Sequence, residues 1–384
     1  MMKHAKMISL LGVLAALVAF MFLRAGGVKA APVIRVKAWK VVSSPNVGSG
    51  NNQLQAISAI TSSDTWAVGS SAPDTSSASQ ALIEHWNGTQ WSVVSSPQPN
   101  GWTSDLAGVA AISGNDVWAV GSYVSNTGTF ILIEHWDGTQ WSIVSGPNPG
   151  AYSNNLNGVI AISSSDVWAV GNFAVSNSSS GQTLTEHWDG HQWSVVPSPN
   201  VGSNYNTLSS VAAISTTDVW AAGIGNGELV EHWDGTHWSI VLHKGSDFFT
   251  AISVITHTNV WVVGWVLVNG IQQTTIEHWN GRKWNRVTSP LIPAGLNEFL
   301  GVTAISSYNI WAVGYAYPHT LIEHWNGSHW SIVSSPDGGP KENLLLGVTS
   351  VPGTKQVLAV GYYYIPNNNF ETIGTAQTLV ESYP

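Results

Sequence analysis

Two short strings recur along this chain about every 50 residues, and this repetition constrains the fold more than any other feature. One string is Trp-Ala-Val-Gly or a close variant, and the other is Glu-His-Trp followed by Asn-Gly or Asp-Gly. The first string begins at Trp66, Trp118, Trp168, Trp220, Trp261, Trp311 and, with Leu in place of Trp, at Leu358. Self-similarity at a fixed period of this length is typical of one supersecondary unit repeated along the chain, so a repeat array is predicted rather than several unrelated domains.

Each copy has the pattern of four short strands. In the second copy, β-branched and aromatic residues form runs over 106–112, 116–121, 130–136 and 140–145, separated by turn-forming residues. The Asn-Gly or Asp-Gly dipeptide between the third and fourth runs favours positive φ in a tight hairpin. In Trp-Ala-Val-Gly, Trp and Val face one side of the strand and Ala and Gly face the other. The repeat therefore predicts a four-stranded antiparallel meander whose large face packs against the small face of a neighbour.

The two ends of the chain complement each other. The last copy has three strand-like runs but no fourth, whereas the N-terminal segment 38–45 aligns with the fourth run at 90–97. Because an unpaired strand edge invites aggregation, we expect the N-terminal strand to complete the last blade. The predicted fold is all-β: residues 31–384 form a seven-bladed β-propeller of four-stranded antiparallel blades, with the ring closed by the N-terminal strand.

The first 30 residues belong to a different class of sequence. Lys3 and Lys6 precede an uncharged apolar run at 7–23, and Val28-Lys29-Ala30 has the small-x-small pattern of a cleavage site. Residues 1–30 are therefore predicted to be a secretory signal peptide, which makes the protein secreted or extracytoplasmic. An uncleaved signal anchor is the alternative, because this apolar run could just span a bilayer. No other apolar run is long enough, so no membrane span is expected after cleavage.

Composition excludes several classes of function. The chain has no Cys, so a disulfide framework, a Cys-ligated metal site and thiol catalysis are all excluded. Its formal net charge is −9 and its Lys and Arg do not cluster, so the chain lacks the positive surface that nucleic-acid binding needs. No nucleic-acid partner and no cofactor are expected.

The repeated Glu-His pair offers the most tempting chemistry. Neighbouring strand residues point to opposite faces, so one Glu and its own His cannot converge on one metal ion. A pair present in nearly every copy is also what a scaffold requires, because buried polar groups need partners. We therefore interpret these residues as structural hydrogen-bonding groups and expect no metal site. They are Glu84, His85, Glu134, His135, Glu186, His187, Glu231, His232, Glu277, His278, Glu323 and His324.

The strings Asp-Val-Trp-Ala-Val-Gly and Ile-Glu-His-Trp-Asp-Gly-Thr-Gln-Trp-Ser resemble the repeat of the seven-bladed bacterial β-propeller lectins, over residues 36–384. The Gly-x-x-Trp hairpin is more distantly similar to the Asp-box of sialidase-type propellers. Here, however, the Asp adjoins the Gly instead of preceding it by two residues, which argues against a sialidase. The fourth strands also lack the second Trp of the lectin pattern. The resemblance implies a propeller that binds carbohydrate, but no sugar pocket carries over residue by residue.

Function is expected where the copies differ, because loops on a rigid scaffold vary without disturbing its packing. The turns between first and second strands and the Asn-Gly or Asp-Gly hairpins are short and alike, and we call their side of the ring the hairpin end. The second-to-third loops and the inter-blade linkers vary, and they form the variable end. Two of the 21 Trp, Trp102 and Trp265, lie outside the repeat. The candidate ligand-binding residues are Trp102, Tyr152, Tyr205, Trp265, Tyr315, Tyr317 and Tyr362.

Aromatic side chains among amides and hydroxyls suit a neutral sugar or a protein partner better than an anionic ligand. The sequence thus predicts an exported, non-catalytic module that binds carbohydrate. One alternative is a scaffold for an extracellular or cell-surface protein, and another is an extracytoplasmic glycoside hydrolase or lyase. The acids placed at the variable end are Asp74, Asp105, Glu228, Asp247, Glu298, Asp337, Glu342 and Glu371. No motif surrounds them, so no catalytic residue is predicted.

Overall fold

The computed structural model describes residues 37–99, 102–177, 181–203, 205–290, 292, 295–366 and 374–384. Contacts divide the chain after Lys37, and every described strand lies in the compact unit Ala38–Pro384. The predicted signal segment, residues 1–30, and Glu371 lie outside the described residues. Within the described residues there are strands and turns but no helix, and hence no helix long and apolar enough to cross a membrane.

The strands of the first half are β1 (Lys40–Val42), β2 (Asn52–Thr61), β3 (Asp64–Ser71), β4 (Gln80–Trp86), β5 (Trp91–Val94), β6 (Thr103–Ser113), β7 (Asp116–Ser125), β8 (Gly128–Trp136), β9 (Trp141–Ile143), β10 (Ser153–Ser163), β11 (Asp166–Ala174), β12 (Gln182–Trp188), β13 (Trp193–Val195) and β14 (Asn206–Ser215). Those of the second half are β15 (Asp218–Gly225), β16 (Glu228–Trp233), β17 (Trp238–Leu242), β18 (Phe248–Thr256), β19 (Asn259–Val268), β20 (Ile271–Trp279), β21 (Trp284–Arg286), β22 (Asn297–Ser306), β23 (Asn309–Ala316), β24 (His319–Trp325), β25 (Trp330–Ile332), β26 (Asn343–Ser350), β27 (Val357–Ile365) and β28 (Thr375–Tyr383).

The described strands pair into six sheets, of which five are four-stranded and one is eight-stranded. The four-stranded sheets are β2 to β5, β14 to β17, β18 to β21, β22 to β25, and β26 to β28 with β1. The eight-stranded sheet contains two antiparallel groups, β6 to β9 and β10 to β13, joined where Ser153 pairs in parallel with Thr129. The predicted all-β class and four-stranded antiparallel groups are therefore confirmed, but the predicted seven separate sheets are not, because this bridge merges two of them.

We number the four-stranded groups meanders 1 to 7 in chain order, with meander 7 made of β26, β27, β28 and β1. The N-terminal strand pairs with β28 as expected, with Lys40 opposite Ser382 and Val42 opposite Val380. Trp39, immediately before this strand, is buried and packs against Trp311 of meander 6 with ring centroids 5.6 Å apart. The two ends of the chain thus share one sheet.

A second-strand Trp crosses the boundary from one meander to the next. Trp66 of meander 1 packs against Trp136 and Trp141 of meander 2, with ring centroids 5.1 and 5.4 Å away. Val68 beside it belongs to the same cluster as Ala119 of meander 2, so a large face meets a small face as the alternation predicts. The same aromatic contact recurs between Trp118 and Trp188, Trp168 and Trp233, Trp220 and Trp279, Trp261 and Trp325, and Trp311 and Tyr383.

Buried clusters link the meanders in cyclic order. One cluster joins each consecutive pair from meander 1 to meander 7. A further cluster packs Leu54 and Trp91 of meander 1 against Leu358 and Val380 of meander 7. The first strands of all the meanders line one cavity of about 200 Å³. Its lining includes Ile57, Val109, Val159, Val211, Ala251, Val302 and Val348.

We predict that Trp39→Ala lowers the free energy of unfolding by about 3 to 5 kcal/mol, because it removes a buried aromatic residue at the join between the chain ends. Val41→Ala is the matched control, since Val41 lies in the strand that Trp39 directly precedes and has 47% of its surface exposed. Chemical denaturation of both variants measures the difference. Equal stabilities for the two variants would show that the N-terminal strand does not support the last sheet.

Candidate functional site

The repeated His residues lie at the hairpin end and bond within their own meander. His85 Nε2 lies 2.8 Å from Asp64 Oδ1, and meanders 2, 3 and 4 repeat this distance. In meanders 5 and 6, an Asn takes the place of the Asp, and His278 and His324 lie 2.9 Å from Asn259 and Asn309. Because Asp218 or its equivalent opens the second strand, each contact ties that strand to the third. This arrangement is consistent with the predicted scaffold role of the His residues.

The Glu residues of the same pairs point between the sheets. Glu84 and Glu134 are fully buried and accept hydrogen bonds of 2.9 Å from the hydroxyls of Ser44 and Ser96. Each donor Ser precedes a Pro after the fourth strand of the preceding meander. Similar bonds join Ser289 to Glu323 and Ser335 to Glu381. These carboxyls therefore link neighbouring meanders, whereas the adjacent His residues link strands within one meander.

Burial raises the pKa of these carboxyls well above the ordinary Glu value of 4.5. The pKa rises to about 8 for Glu84 and Glu186 and to about 7 for Glu134. Glu186 stands opposite Gly146, where other meanders have the Ser, and neither of its carboxyl oxygens has a hydrogen-bond partner. The same desolvation raises the pKa to about 7 or 8 at Glu231, Glu277, Glu323 and Glu381. At neutral pH the four carboxyls with a pKa of about 8 are largely protonated and the three with a pKa of about 7 are about half protonated, because burial disfavours their charge.

Three of the candidate binding residues occupy one equivalent position at the variable end. Trp102, Tyr152 and Tyr205 each come directly before the first strand of meanders 2, 3 and 4. Their exposed fractions are 64%, 48% and 48%, so their rings face solvent. The structure does not bring these three residues together in a pocket within the part of the chain that it describes.

Trp265, the other Trp outside the repeat, is not free at the variable end. It lies on β19 directly opposite Phe248 of β18. The two rings stack with centroids 4.1 Å apart and an interplanar angle of 12°. Trp265 is therefore half-buried, and one of its faces is already covered.

The remaining candidates gather around one pocket of about 200 Å³ between meanders 6 and 7. We call it the Tyr pocket and define it by the residues Leu296, Tyr315, Tyr317, Pro318, Glu342, Asn343 and Leu344. Leu296 and Tyr317 form its exposed rim, with 52% and 54% of their surfaces exposed. Tyr362 lies on β27 opposite Leu344 and packs edge-to-face against Tyr364 with ring centroids 5.5 Å apart. The pocket thus combines an apolar rim with hydroxyl and carboxylate groups.

Hydrogen bonds hold the inner side of the Tyr pocket. Glu298 Oε2 accepts hydrogen bonds from the Tyr315 hydroxyl, 3.0 Å away, and from the Gln272 amide, 2.8 Å away. Burial raises the pKa of Glu298, and burial together with this carboxylate raises the pKa of Tyr315 to about 12. Tyr362, which burial also brings to a pKa of about 12, stays a neutral hydrogen-bonding group like Tyr315.

Sequence reasoning missed four residues of the Tyr pocket: Leu296, Pro318, Asn343 and Leu344. The sequence signal that could have found this pocket is a position shared by the repeats. Leu296 and Glu342 stand directly before β22 and β26, the position that Trp102 occupies before β6. Comparing that one position across the repeats would have found the rim.

Two of the acids predicted at the variable end converge with a repeat Glu between meanders 4 and 5. Carboxylate oxygens of Glu228, Asp247 and Glu277 lie within 4.8 Å of one another. Glu228 accepts the backbone N–H groups of Lys244 and Gly245 at 2.9 and 2.7 Å. Asp247 pairs with Arg286 and accepts a hydrogen bond of 2.6 Å from Thr275. These partners account for the two buried carboxylates, Glu228 and Asp247. Glu228 and Glu277 border a pocket of about 470 Å³.

Comparisons with known proteins identify the fold. Neither a protein-family model nor a curated protein matches the chain. Among solved structures, the chain is similar to "Crystal structure of WD40 beta propeller domain of Doa1", with a TM-score of 0.56, 12% identity, and 90% of this chain and 97% of that chain covered. The fold is a β-propeller.

Two further solved structures are similar to this propeller. "Crystal structure of RRP9 WD40 repeats" gives a TM-score of 0.60 at 11% identity and covers 91% of this chain and 99% of its own. "YCF48 bound to D1 peptide" gives a TM-score of 0.55 at 15% identity and covers 92% of this chain and 98% of its own. At these sequence identities, the structural similarity shows the fold and nothing about function. None of these findings supports the lectin-like or the Asp-box type of propeller.

We predict that the protein becomes less stable as the pH rises from about 4.5 to about 8. Six buried Glu carboxyls and the half-buried Glu277 keep their protons to about pH 7 or 8 in the folded state, whereas an unfolded Glu loses its proton near 4.5. The folded state therefore binds more protons in this window, and its stability, greatest below the window, falls through it. His278 and His324, whose pKa burial lowers, oppose this trend below about pH 6.5.

Thermal unfolding at pH 5 and pH 8 measures this dependence, with Glu186→Gln as the diagnostic variant. Gln cannot ionise, so the melting temperature of the variant relative to the natural protein should be higher at pH 8 than at pH 5. A melting temperature that is the same at both pH values in the natural protein would contradict protonated carboxyls at the boundaries.

We also predict that the two Trp residues outside the repeat respond differently to truncation. Trp265→Ala should lower stability by roughly 1 to 3 kcal/mol, because it uncovers Phe248 and removes a half-buried ring. Trp102→Ala should change stability by less than about 0.5 kcal/mol, because its ring is mostly in solvent. Denaturant titration compares them, and equal losses would mean that Trp102 is a packing residue too.

Proposed function

We propose that this protein is an exported, non-catalytic scaffold that binds a protein partner through the variable end of a closed seven-bladed ring. The eight-stranded sheet counts as two blades, because a single residue pair joins its halves. Closure is supported by the pairing of β1 with β28 and by the cluster shared between meanders 7 and 1. The cavity lined by first strands from all the meanders supports it as well.

The observation that carries the proposed partner class is the Tyr pocket. Leu296 and Tyr317 expose about half of their surfaces at its rim, and large apolar side chains of this kind mark interaction sites when they surround a concave surface. Tyr315 and Glu342 add a hydroxyl and a carboxylate beside the rim. An exposed segment of a protein presents apolar side chains flanked by backbone or side-chain hydrogen-bond donors. Such a segment matches the apolar rim and the polar groups of the Tyr pocket.

Carbohydrate, the ligand predicted first from the sequence, receives less support. Sugar rings stack on open aromatic faces, but Trp265 is stacked on Phe248 and Tyr362 packs against Tyr364. The aromatics with open faces, Trp102, Tyr152 and Tyr205, stand on three separate linkers. One solved structure with this fold is YCF48 bound to D1 peptide, which favours a peptide segment as the first partner to test.

The non-catalytic character and the export are part of the same proposal. Acids at the variable end have structural partners: Asp105 accepts a hydrogen bond of 2.8 Å from Gln55, and Asp247 pairs with Arg286. Such partners explain these carboxylates without a reaction. Export rests on the sequence of residues 1–30 alone.

Selection from a random-peptide phage library on the purified protein tests the partner class. We predict that selected peptides bind Tyr317→Ala about tenfold or more weakly, because truncating a rim anchor removes more than about 1.4 kcal/mol of binding free energy. Tyr308→Ala is the matched control. Tyr308 is 69% exposed and lies in the turn at the hairpin end of the same meander.

Fluorescence anisotropy with labelled peptides gives the dissociation constants. Peptides that bind Tyr317→Ala as tightly as the natural protein would place the binding surface elsewhere. A glycan array that gives binding sensitive to Trp102→Ala, with no peptide selected, would restore the carbohydrate hypothesis.

A further inference from the structure

Asp218 of meander 4 differs from its counterparts in contacting two His residues. Its Oδ1 lies 2.8 Å from His232 Nε2, which is the contact that the repeat provides in meanders 1 to 4. Its Oδ2 lies 3.0 Å from Nδ1 of His257, which belongs to the turn between β18 and β19 of meander 5. The second contact crosses a meander boundary and is therefore not part of the scaffold pair.

The repeat does not require His257. The equivalent turn position is occupied by Ser62, Gly114, Ser164, Thr216 and Ser307 in meanders 1 to 4 and 6. The His257 side chain is 62% exposed, so burial does not account for its presence either. The side chains of Asp218 and His232 are 14% and 13% exposed, so the three-residue group is open to solvent mainly at His257. An imidazole placed here adds a third metal-ligating side chain to a preformed pair.

The three side chains have the spacing of a metal site. One ligand atom each from Asp218, His232 and His257 lies within 4.8 Å of the others. Ligands about 2.0 to 2.1 Å from one tetrahedral zinc ion are roughly 3.3 Å apart, so shifts of a few tenths of an ångström to about an ångström complete the geometry. Two imidazole nitrogens and one carboxylate oxygen form a donor set that zinc accepts, with the fourth position left to water.

We propose that Asp218, His232 and His257 bind a zinc ion at the hairpin end. The two imidazoles coordinate through the same nitrogens that now donate to Asp218, after each ring proton moves to the other ring nitrogen. Trp220 supports the carboxylate, because its indole N–H donates to Asp218 Oδ1 at 2.7 Å. The site lies at the opposite end of the ring from the Tyr pocket, so zinc binding and partner binding fail or hold independently.

This proposal revises the expectation that the chain has no metal site. The sequence argument holds for one Glu and its own His, which point to opposite faces. It does not cover a His supplied by the next meander. A second group of possible ligands consists of Glu228, Asp247 and Glu277. It is the weaker candidate for a metal site because Asp247 already pairs with Arg286.

Isothermal titration of the full-length protein, produced without a polyhistidine tag, with zinc chloride tests the site. We expect one equivalent of zinc to bind. His257→Ser and Asp218→Asn should each raise the dissociation constant for zinc about tenfold or more. Losing a direct ligand lowers metal affinity at least as much as losing a group that supports a ligand. His191→Ser, which removes an exposed His from a hairpin of meander 3, should leave binding unchanged.

The variants follow the protein's own repeats, which protects their folding. Ser stands at the His257 position in three other meanders, and Asn stands at the Asp218 position in meanders 5 and 6. Asn309 keeps both the His contact and the Trp311 indole bond, so Asp218→Asn retains these two interactions. Unchanged melting curves in the absence of zinc confirm that the variants are folded.

Two results overturn the proposal. If zinc binds His257→Ser as tightly as the natural protein, with several equivalents in both, then the ordinary His–Asp pairs are responsible. If equilibrium dialysis against micromolar zinc leaves no metal on the natural protein, then the contacts of Asp218 are hydrogen bonds alone.

Discussion

Every boundary from meander 1 to meander 7 depends on a second-strand indole that packs against aromatic rings of the next meander. Only 9% of the residues are charged, so ion pairs cannot hold the meanders together. Burying a large indole against a small Ala face supplies the apolar contact instead. The boundary between the two chain ends lacks this Trp and has Leu358 in its place. There the hydrogen bond from Ser44 to Glu84 adds a second link between meanders 7 and 1.

The boundary between meanders 4 and 5 departs from this pattern most. Trp220 lies 6.4 and 6.2 Å from Trp279 and Trp284, whereas Trp118 lies 5.0 and 5.4 Å from its two partners. Both the Ser-Pro found at five other boundaries and the Gly-Pro found after meander 2 are absent, and His243-Lys244 follow β17 instead. Glu228, Lys244 and Glu277 line a pocket at this boundary, and His257 lies at its hairpin end. Looser aromatic packing thus coincides with both groups of three potential metal ligands found in the described part of the chain.

The sequence predicted local structure better than side-chain contacts between strands and between meanders. Strand alternation and the Asn-Gly or Asp-Gly hairpins follow from short-range rules, and Gly88 indeed has a φ of 92°. In each hairpin the preceding side chain supports the turn, as Asn87 Oδ1 accepts the backbone N–H of Thr89 at 3.0 Å. The stacking of Trp265 on Phe248, the pairing of Ser153 with Thr129 and the approach of His257 to Asp218 depend on how strands lie side by side. The period of a repeat does not specify such contacts.

The residue before each first strand shows why the variable end can carry recognition. Its backbone is fixed, because the N–H of Trp102 donates to Val124 at 2.7 Å and that of Tyr152 donates to Ala174 at 3.0 Å. Its side chain is exposed at Trp102, Tyr152, Tyr205 and Leu296, whereas Asp247 at this position of meander 5 is buried. The same position holds Asn, Trp, Tyr, Asp, Leu or Glu in different meanders, so the fold does not select its identity. Residues at such positions can change without disturbing the aromatic contacts between meanders. Two of these positions, Leu296 and Glu342, line the Tyr pocket.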